Sequence, residues 1–186
     1  MKFAFIAAVL VLIPVTPSLA ADFQFSAVTK ASLAFHLESS TAPFHYPNTL
    51  QVFLRLKNEH DSDIQWVCNA PLGIEGQLFD STGNEVPTGP SASSIQSAPR
   101  AFLLPYGSRL DWLISSGGIT LMGNVKDSAA LVIGSKGWLI PLKDLSKYRL
   151  KVRVNGRPWE RTTKLAEMGR PTKLLFETQK TRIALE

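Results

Sequence analysis

The feature that most restricts this chain is a strict alternation of apolar and polar residues in segments bounded by turn residues. In Leu50-Gln51-Val52-Phe53-Leu54-Arg55-Leu56-Lys57, the residues Leu50, Val52, Leu54 and Leu56 share one face, while Gln51, Arg55 and Lys57 share the other. Successive side chains of a β-strand point to opposite sides, so the pattern predicts a strand with one buried face. A second instance sets Tyr148, Leu150, Val152 and Val154 against Arg149, Lys151 and Arg153. Beyond the N-terminal apolar run, no pattern of helical period persists for more than two turns. The chain therefore reads as all-β.

Turn chemistry divides the remainder. Asn58 to Asp63 is polar and separates the first strand from an apolar stretch, Ile64 to Cys68, which reads as a hairpin. Asp80-Ser81-Thr82-Gly83-Asn84 and Pro105-Tyr106-Gly107-Ser108 supply side chains that stabilise turns locally and glycines that accept positive φ. Strands are also expected at Leu33–Leu37, Ile74–Phe79, Ala101–Leu104, Leu110–Ile114, Ile119–Met122 and Ala129–Ile133. Pro141 to Leu145 reads as a short connector, Asn155-Gly156 as a tight turn ending the second alternating strand, and Leu174–Phe176 and Ile183–Leu185 as weaker strands. Pro87 to Arg100, rich in Pro, Ser, Gly and Ala, is a long loop. Roughly seven to nine short strands at such intervals predict an antiparallel β-sandwich. There is no internal repeat.

The N-terminus has the layout of a secretory signal. Lys2 precedes an apolar run from Phe3 to Ile13, and Ser18-Leu19-Ala20 presents small residues before a cleavage point. The run is far shorter than the ~20 residues of a membrane-spanning helix. The expectation is a signal peptide over 1–20, cleaved after Ala20 or else Ala21, and a single domain over 21–186. Removing Lys2 lowers the formal net charge from +5 to +4, a mildly basic balance. Cys68 is the only cysteine, so no intramolecular disulfide can form, and no Asn-x-Ser/Thr acceptor is present. Exported eukaryotic domains of this size commonly use disulfides, so these absences point to a bacterial periplasmic or secreted protein.

Asn58 at a strand end, the Phe79–Val86 hairpin, Leu103-Leu104-Pro105-Tyr106-Gly107 and the late Leu145–Val152 stretch together resemble segments of bacterial exported immunoglobulin-like domains. Their order loosely resembles the intracellular proteinase-inhibitor-like (BsuPI-type) domains, in which a Pro-Gly turn precedes one strand and a Gly-x-Tyr step opens a late one. Here Tyr106 stands between the Pro and the Gly, and Ser146 replaces the later Gly. The resemblance spans roughly residues 50 to 155 and implies an immunoglobulin-like fold, with Tyr148 in a tyrosine corner. It implies much less about inhibitory activity, since fold does not fix function.

Candidate chemistry is sparse. His60 lies among Glu59, Asp61 and Asp63, residue types that can ligate a metal and that equally make a solvated turn. Cys68 can be read as a nucleophile or as a small buried hydrophobe, and its place on an apolar run favours the second. His36 falls within an alternating strand. Ser115-Ser116-Gly117-Gly118 has no neighbour that would activate a hydroxyl, and no Gly-x-Ser-x-Gly elbow occurs.

Binding has better candidates. Arg149, Lys151 and Arg153 form a cationic row, Arg55 and Lys57 a second, and the two merge into one face if their strands are neighbours. Strand faces also carry Lys and Arg simply to discourage edge pairing. Trp66 and Trp112 belong to core positions, while Trp138 and Trp159 flank turns and are candidates for exposure. The sequence thus suggests a non-catalytic binding or assembly module of the bacterial envelope without cofactor or metal. Arg149, Lys151, Arg153, Trp159 and the Pro87–Arg100 loop are its contact residues. Its partner would be an envelope protein or an anionic glycan or lipid surface, and not nucleic acid. Inhibition of a protease through the exposed loop is the alternative, followed by a hydrolase using His60 or Cys68.

Overall fold

Alternation resolves into two sheets whose apolar faces meet. The computed structural model describes residues 30–39, 47–70, 73–89, 98–115, 125, 127–158 and 173–186. The first sheet contains β1 (Lys30–Glu38), β2 (Asn48–Lys57), β6 (Arg109–Leu113), β7 (Ser128–Ile133) and β8 (Lys136–Pro141). Its order is β1-β2-β7-β8, with β6 also paired to β2. The second contains β3 (Ile64–Ala70), β4 (Ile74–Phe79), β5 (Ala98–Leu104), β9 (Arg149–Pro158), β10 (Lys173–Glu177) and β11 (Thr181–Arg182). Its order is β10-β9-β3-β5, and β4 and β11 also pair with β9.

The architecture is an all-β sandwich, with eleven strands among the described residues rather than seven to nine. The strands not expected from the sequence are β8, where Gly137-Trp138 reads as the flank of a turn, and the two-residue β11, too short to show a period. Residues 1–20, Ile119–Met122 and Trp159 lie outside the described residues, as do residues 90–97 of the expected loop. Ala98 to Arg100, read as the end of that loop, belong instead to β5 and pair with Cys68 to Ala70. None of the described helices is long and apolar enough to cross a membrane.

The core forms where the alternating strands face each other. Leu50, Val52, Leu54 and Leu56 of β2 are fully buried, as are Leu150, Val152 and Val154 of β9. Burying each such side chain is worth roughly 1.5–3 kcal/mol. Trp66 and Trp112 sit in this core with Phe102 between them, the rings of Trp66 and Phe102 stacked at 5.1 Å. Trp138 is also in the core, only 2% exposed, and its Nε1–H donates to the Val86 carbonyl at 3.1 Å. The sheets approach closely at Gly76, where a Cβ would lie 2.8 Å from Ile133 Cβ and 3.3 Å from Trp138 Cη2.

Two local expectations are corrected. β2 and β3 are not a hairpin, because the Asn58–Asp63 turn carries the chain from the first sheet to the second. Asn58 explains the crossing. It is fully buried, and its Nδ2 donates to Ser62 O at 2.8 Å and to Leu104 O at 2.9 Å, while its Oδ1 accepts from His60 N. The second correction concerns Asn155-Gly156, which continues β9 instead of ending it. Asn155 and Gly156 pair with Leu174 and Lys173. Gly156 is there for space, since a Cβ would meet Val67 O at 2.5 Å and Leu175 Cδ1 at 2.6 Å.

The turns at Gly83 and Gly107 form as expected, with φ of 90° and 67°. Asp80 fastens the first by accepting from Thr82 N, Thr82 Oγ1 and Asn84 N. The connector before β9 is a 3-10 helix, Leu142–Lys147, anchored by buried Leu145. Tyr148 follows it, half-buried against the core, with its backbone N–H donating to Leu145 O at 3.1 Å.

Candidate functional site

β9 is the central strand of the second sheet, and its alternation decides what the sheet shows to solvent. Leu150, Val152 and Val154 point inward, so Arg149, Lys151 and Arg153 line the outer face together with Asn155 and Arg157. On one flank, β4 places Phe79 beside Arg149, Gln77 beside Lys151 and Glu75 beside Arg153. On the other flank, β11 sets Arg182 opposite Arg149 and β10 sets Glu177 opposite Arg153.

These neighbours split the predicted row. Lys151 and Arg153 both form ion pairs with the single carboxylate of Glu177. Hydrogen bonds from Lys151 and then Arg153 hold that carboxyl below the usual carboxylate range. Glu75 bonds instead to Asn155 Nδ2 at 3.1 Å. Arg149 is exposed, and no described carboxylate lies within ion-pair distance of it.

Two cations that sequence reasoning did not select gather around Arg149. Arg182 is its direct cross-strand partner and is likewise exposed and without an acidic partner among the described residues. Lys180 precedes β11, on the flank away from β4, yet its Nζ lies 3.6 Å above the centre of the Phe79 ring. The two side chains thus meet across β9, and Phe79 is the β4 partner of Arg149, so a third charge lies on this part of the face. The signal available in the sequence was Thr181-Arg182-Ile183, a single alternation ending in a residue that is 1% exposed. Further along β9, Arg157 Nε and Nη2 are buried with no hydrogen-bond partner among the described residues.

No protein-family model, curated protein or solved structure matches this chain.

The second cationic row does not join the first. Arg55 and Lys57 lie on β2 of the other sheet and face away from β9. They are also neutralised. Arg55 Nε is 3.0 Å from Asp111 Oδ1, Arg55 Nη1 is 3.4 Å from Glu186 Oε1, and Lys57 Nζ is 3.2 Å from Glu59 Oε1. Arg109 Nη2 adds a 2.8 Å contact to Asp111 Oδ2. Hydrogen bonds from Arg109 and Arg55 pull the Asp111 carboxyl down to about 2.

The remaining candidates are placed as follows. Cys68 is fully buried, and desolvation pushes its thiol up to about 12 against the opposing charge of Arg100, so the nucleophilic thiolate is not populated at neutral pH. His60 is held at the turn by its backbone N–H, which donates to Asn58 Oδ1. Among the described residues, no group of three or more His, Cys, Asp or Glu side chains could hold a metal ion. Trp138, considered as an exposed contact, is core; Trp159 lies outside the described residues.

Proposed function

We propose that this protein is a non-catalytic binding module of the bacterial cell envelope, exported through the signal at residues 1–20 and recognising an anionic partner. The contact face is the outer face of the second sheet around the start of β9. One observation carries this reading: Arg149, Lys180 and Arg182 gather in one patch, and none of them has an ion-pair partner among the described residues. On the opposite sheet, Arg55, Lys57 and Arg109 each hold an acidic side chain. Uncompensated charges of one sign raise the local potential and speed encounter with oppositely charged partners. Lys151 and Arg153 form the rim of this face, where Glu177 limits their contribution.

Retention of envelope components on immobilised protein tests the reading. The Arg149→Gln/Arg182→Gln variant should lose what the native protein retains, and rising salt should weaken retention, as expected for exposed charges. An Arg55→Gln/Arg109→Gln variant on the other sheet should retain it. Equal retention by all three proteins would remove the second-sheet face as the site.

A further inference from the structure

We infer that Arg149, Arg182 and Lys180 form a binding site for a phosphate group; the inference deepens the proposed binding role and rests on it. Arg149 and Arg182 occupy directly opposed positions in an antiparallel pair. Such residues have Cβ atoms about 5 Å apart, and like charges there repel. Further along β9 the same sheet shows the usual remedy, with Glu177 paired to both Lys151 and Arg153. At Arg149 and Arg182 no described residue supplies one.

Lys180 makes the site more than a pair. Its ammonium is fixed over Phe79, the β4 neighbour of Arg149, and not turned toward Glu177, which already holds two cations. A cation over an aromatic face is held electrostatically, so the third charge is in place before a ligand arrives. The chemistry of the ligand follows from charge and shape. A lone carboxylate balances one of three positive charges. A phosphomonoester carries about −1.5 to −2 at neutral pH and offers three acceptor oxygens. Two planar guanidinium groups suit those oxygens, because each presents paired N–H donors in a fixed fork.

The group can come from a soluble phosphate or from a lipid headgroup, and the test separates the two sources. The protein purified after export is titrated calorimetrically with inorganic phosphate against sodium chloride of matched ionic strength. In a parallel arm it is sedimented with phosphatidylcholine vesicles, with or without phosphatidic acid. Arg149→Gln/Arg182→Gln should weaken binding by at least about tenfold, since charge-assisted hydrogen bonds are among the strong ones. Arg149→Lys/Arg182→Lys, which keeps charge but loses the forks, should fall between. Thermal unfolding of the Gln variant at low salt should occur at or above the native temperature, because a repulsion is removed, so lost binding is not lost folding. Response to both arms indicates a headgroup site, and response to phosphate alone a soluble ligand. No binding beyond the chloride control in either arm overturns the phosphate assignment. Continued, Arg149- and Arg182-dependent retention of envelope material would then leave the broader binding role standing. Phosphate binding unchanged in the Gln variant overturns the location.

Discussion

Replacing Asn58 with alanine should be among the most damaging polar substitutions in this fold, and its size can be worked from contacts. Asn58 has no exposed surface, and its side chain makes three hydrogen bonds of 2.8–2.9 Å. They join the crossing turn to itself, through Ser62 O and His60 N, and to the end of β5, through Leu104 O. Each such bond contributes about 1 kcal/mol net, and a buried group left without a partner costs about 1–3 kcal/mol. Leu104 is 1% exposed, so its carbonyl is the group least able to recruit water, whereas the turn residue Ser62 is exposed. Asn58→Ala should therefore cost about 3 kcal/mol, with most of the excess over simple bond loss at Leu104 O. For a chain of this length that corresponds to a fall in Tm of roughly 6–12 °C.

Asn58→Asp is the sharper control. It keeps the acceptor for His60 N but turns a carboxylate oxygen toward two carbonyls that Nδ2 now serves. It should destabilise at least as much as alanine, and the loss should lessen in acid as the carboxyl protonates and regains a donor. Urea unfolding followed by tryptophan fluorescence gives both values. A loss below about 1 kcal/mol for Asn58→Ala, or an aspartate variant as stable as the native protein, would refute the claim that this side chain fastens the crossing between sheets.

Gly76→Ala should lower the urea midpoint by about 1–3 kcal/mol equivalent, because the added methyl must displace Ile133 and Trp138 in the close approach of the two sheets. Gly156→Ala should be worse, since its nearest obstacle is the Val67 carbonyl, which belongs to the backbone and cannot rotate away. Asp111 is held by Arg109 and Arg55 at about 2, below its ordinary 3.8, so its ion pairs stabilise the fold above about pH 4 and are lost as pH falls toward 2. Both side chains of the Arg55 pair are about a third exposed, so the effect should be at most about 1 kcal/mol, and Asp111→Asn should remove it from the acid limb of a stability–pH profile. Cys68 should resist thiol reagents at pH 8 in the native protein and react promptly once denatured, since it is buried and its thiol stands at about 12.

The residues that announced the fold did so because alternation is a local property. Leu50 to Lys57 and Leu150 to Val154 sort their side chains by parity, and a packed sandwich obeys that sorting at every one of these positions. Partnership is not local. Nothing in the sequence around Asn58 says that the next strand joins the other sheet; that depends on Leu104 O arriving from β5 to receive the amide. Glycine shows the same division. Gly83 and Gly107 were legible because turn residues surround them, whereas Gly156 imitates an Asn-Gly turn and is required by Val67 and Leu175, which are distant in the chain. The candidate site divides along this line too. The parity of β9 put Arg149, Lys151 and Arg153 on one face, but the charge on that face is set by register. Glu177 falls opposite Arg153 and takes two of the three cations, while Arg182 falls opposite Arg149 and takes none. A one-residue slip of β11 would turn Arg182 inward and Ile183 out, which burial of Ile183 forbids. The apolar residue that secures the tail thus also holds the second guanidinium of the candidate site in position.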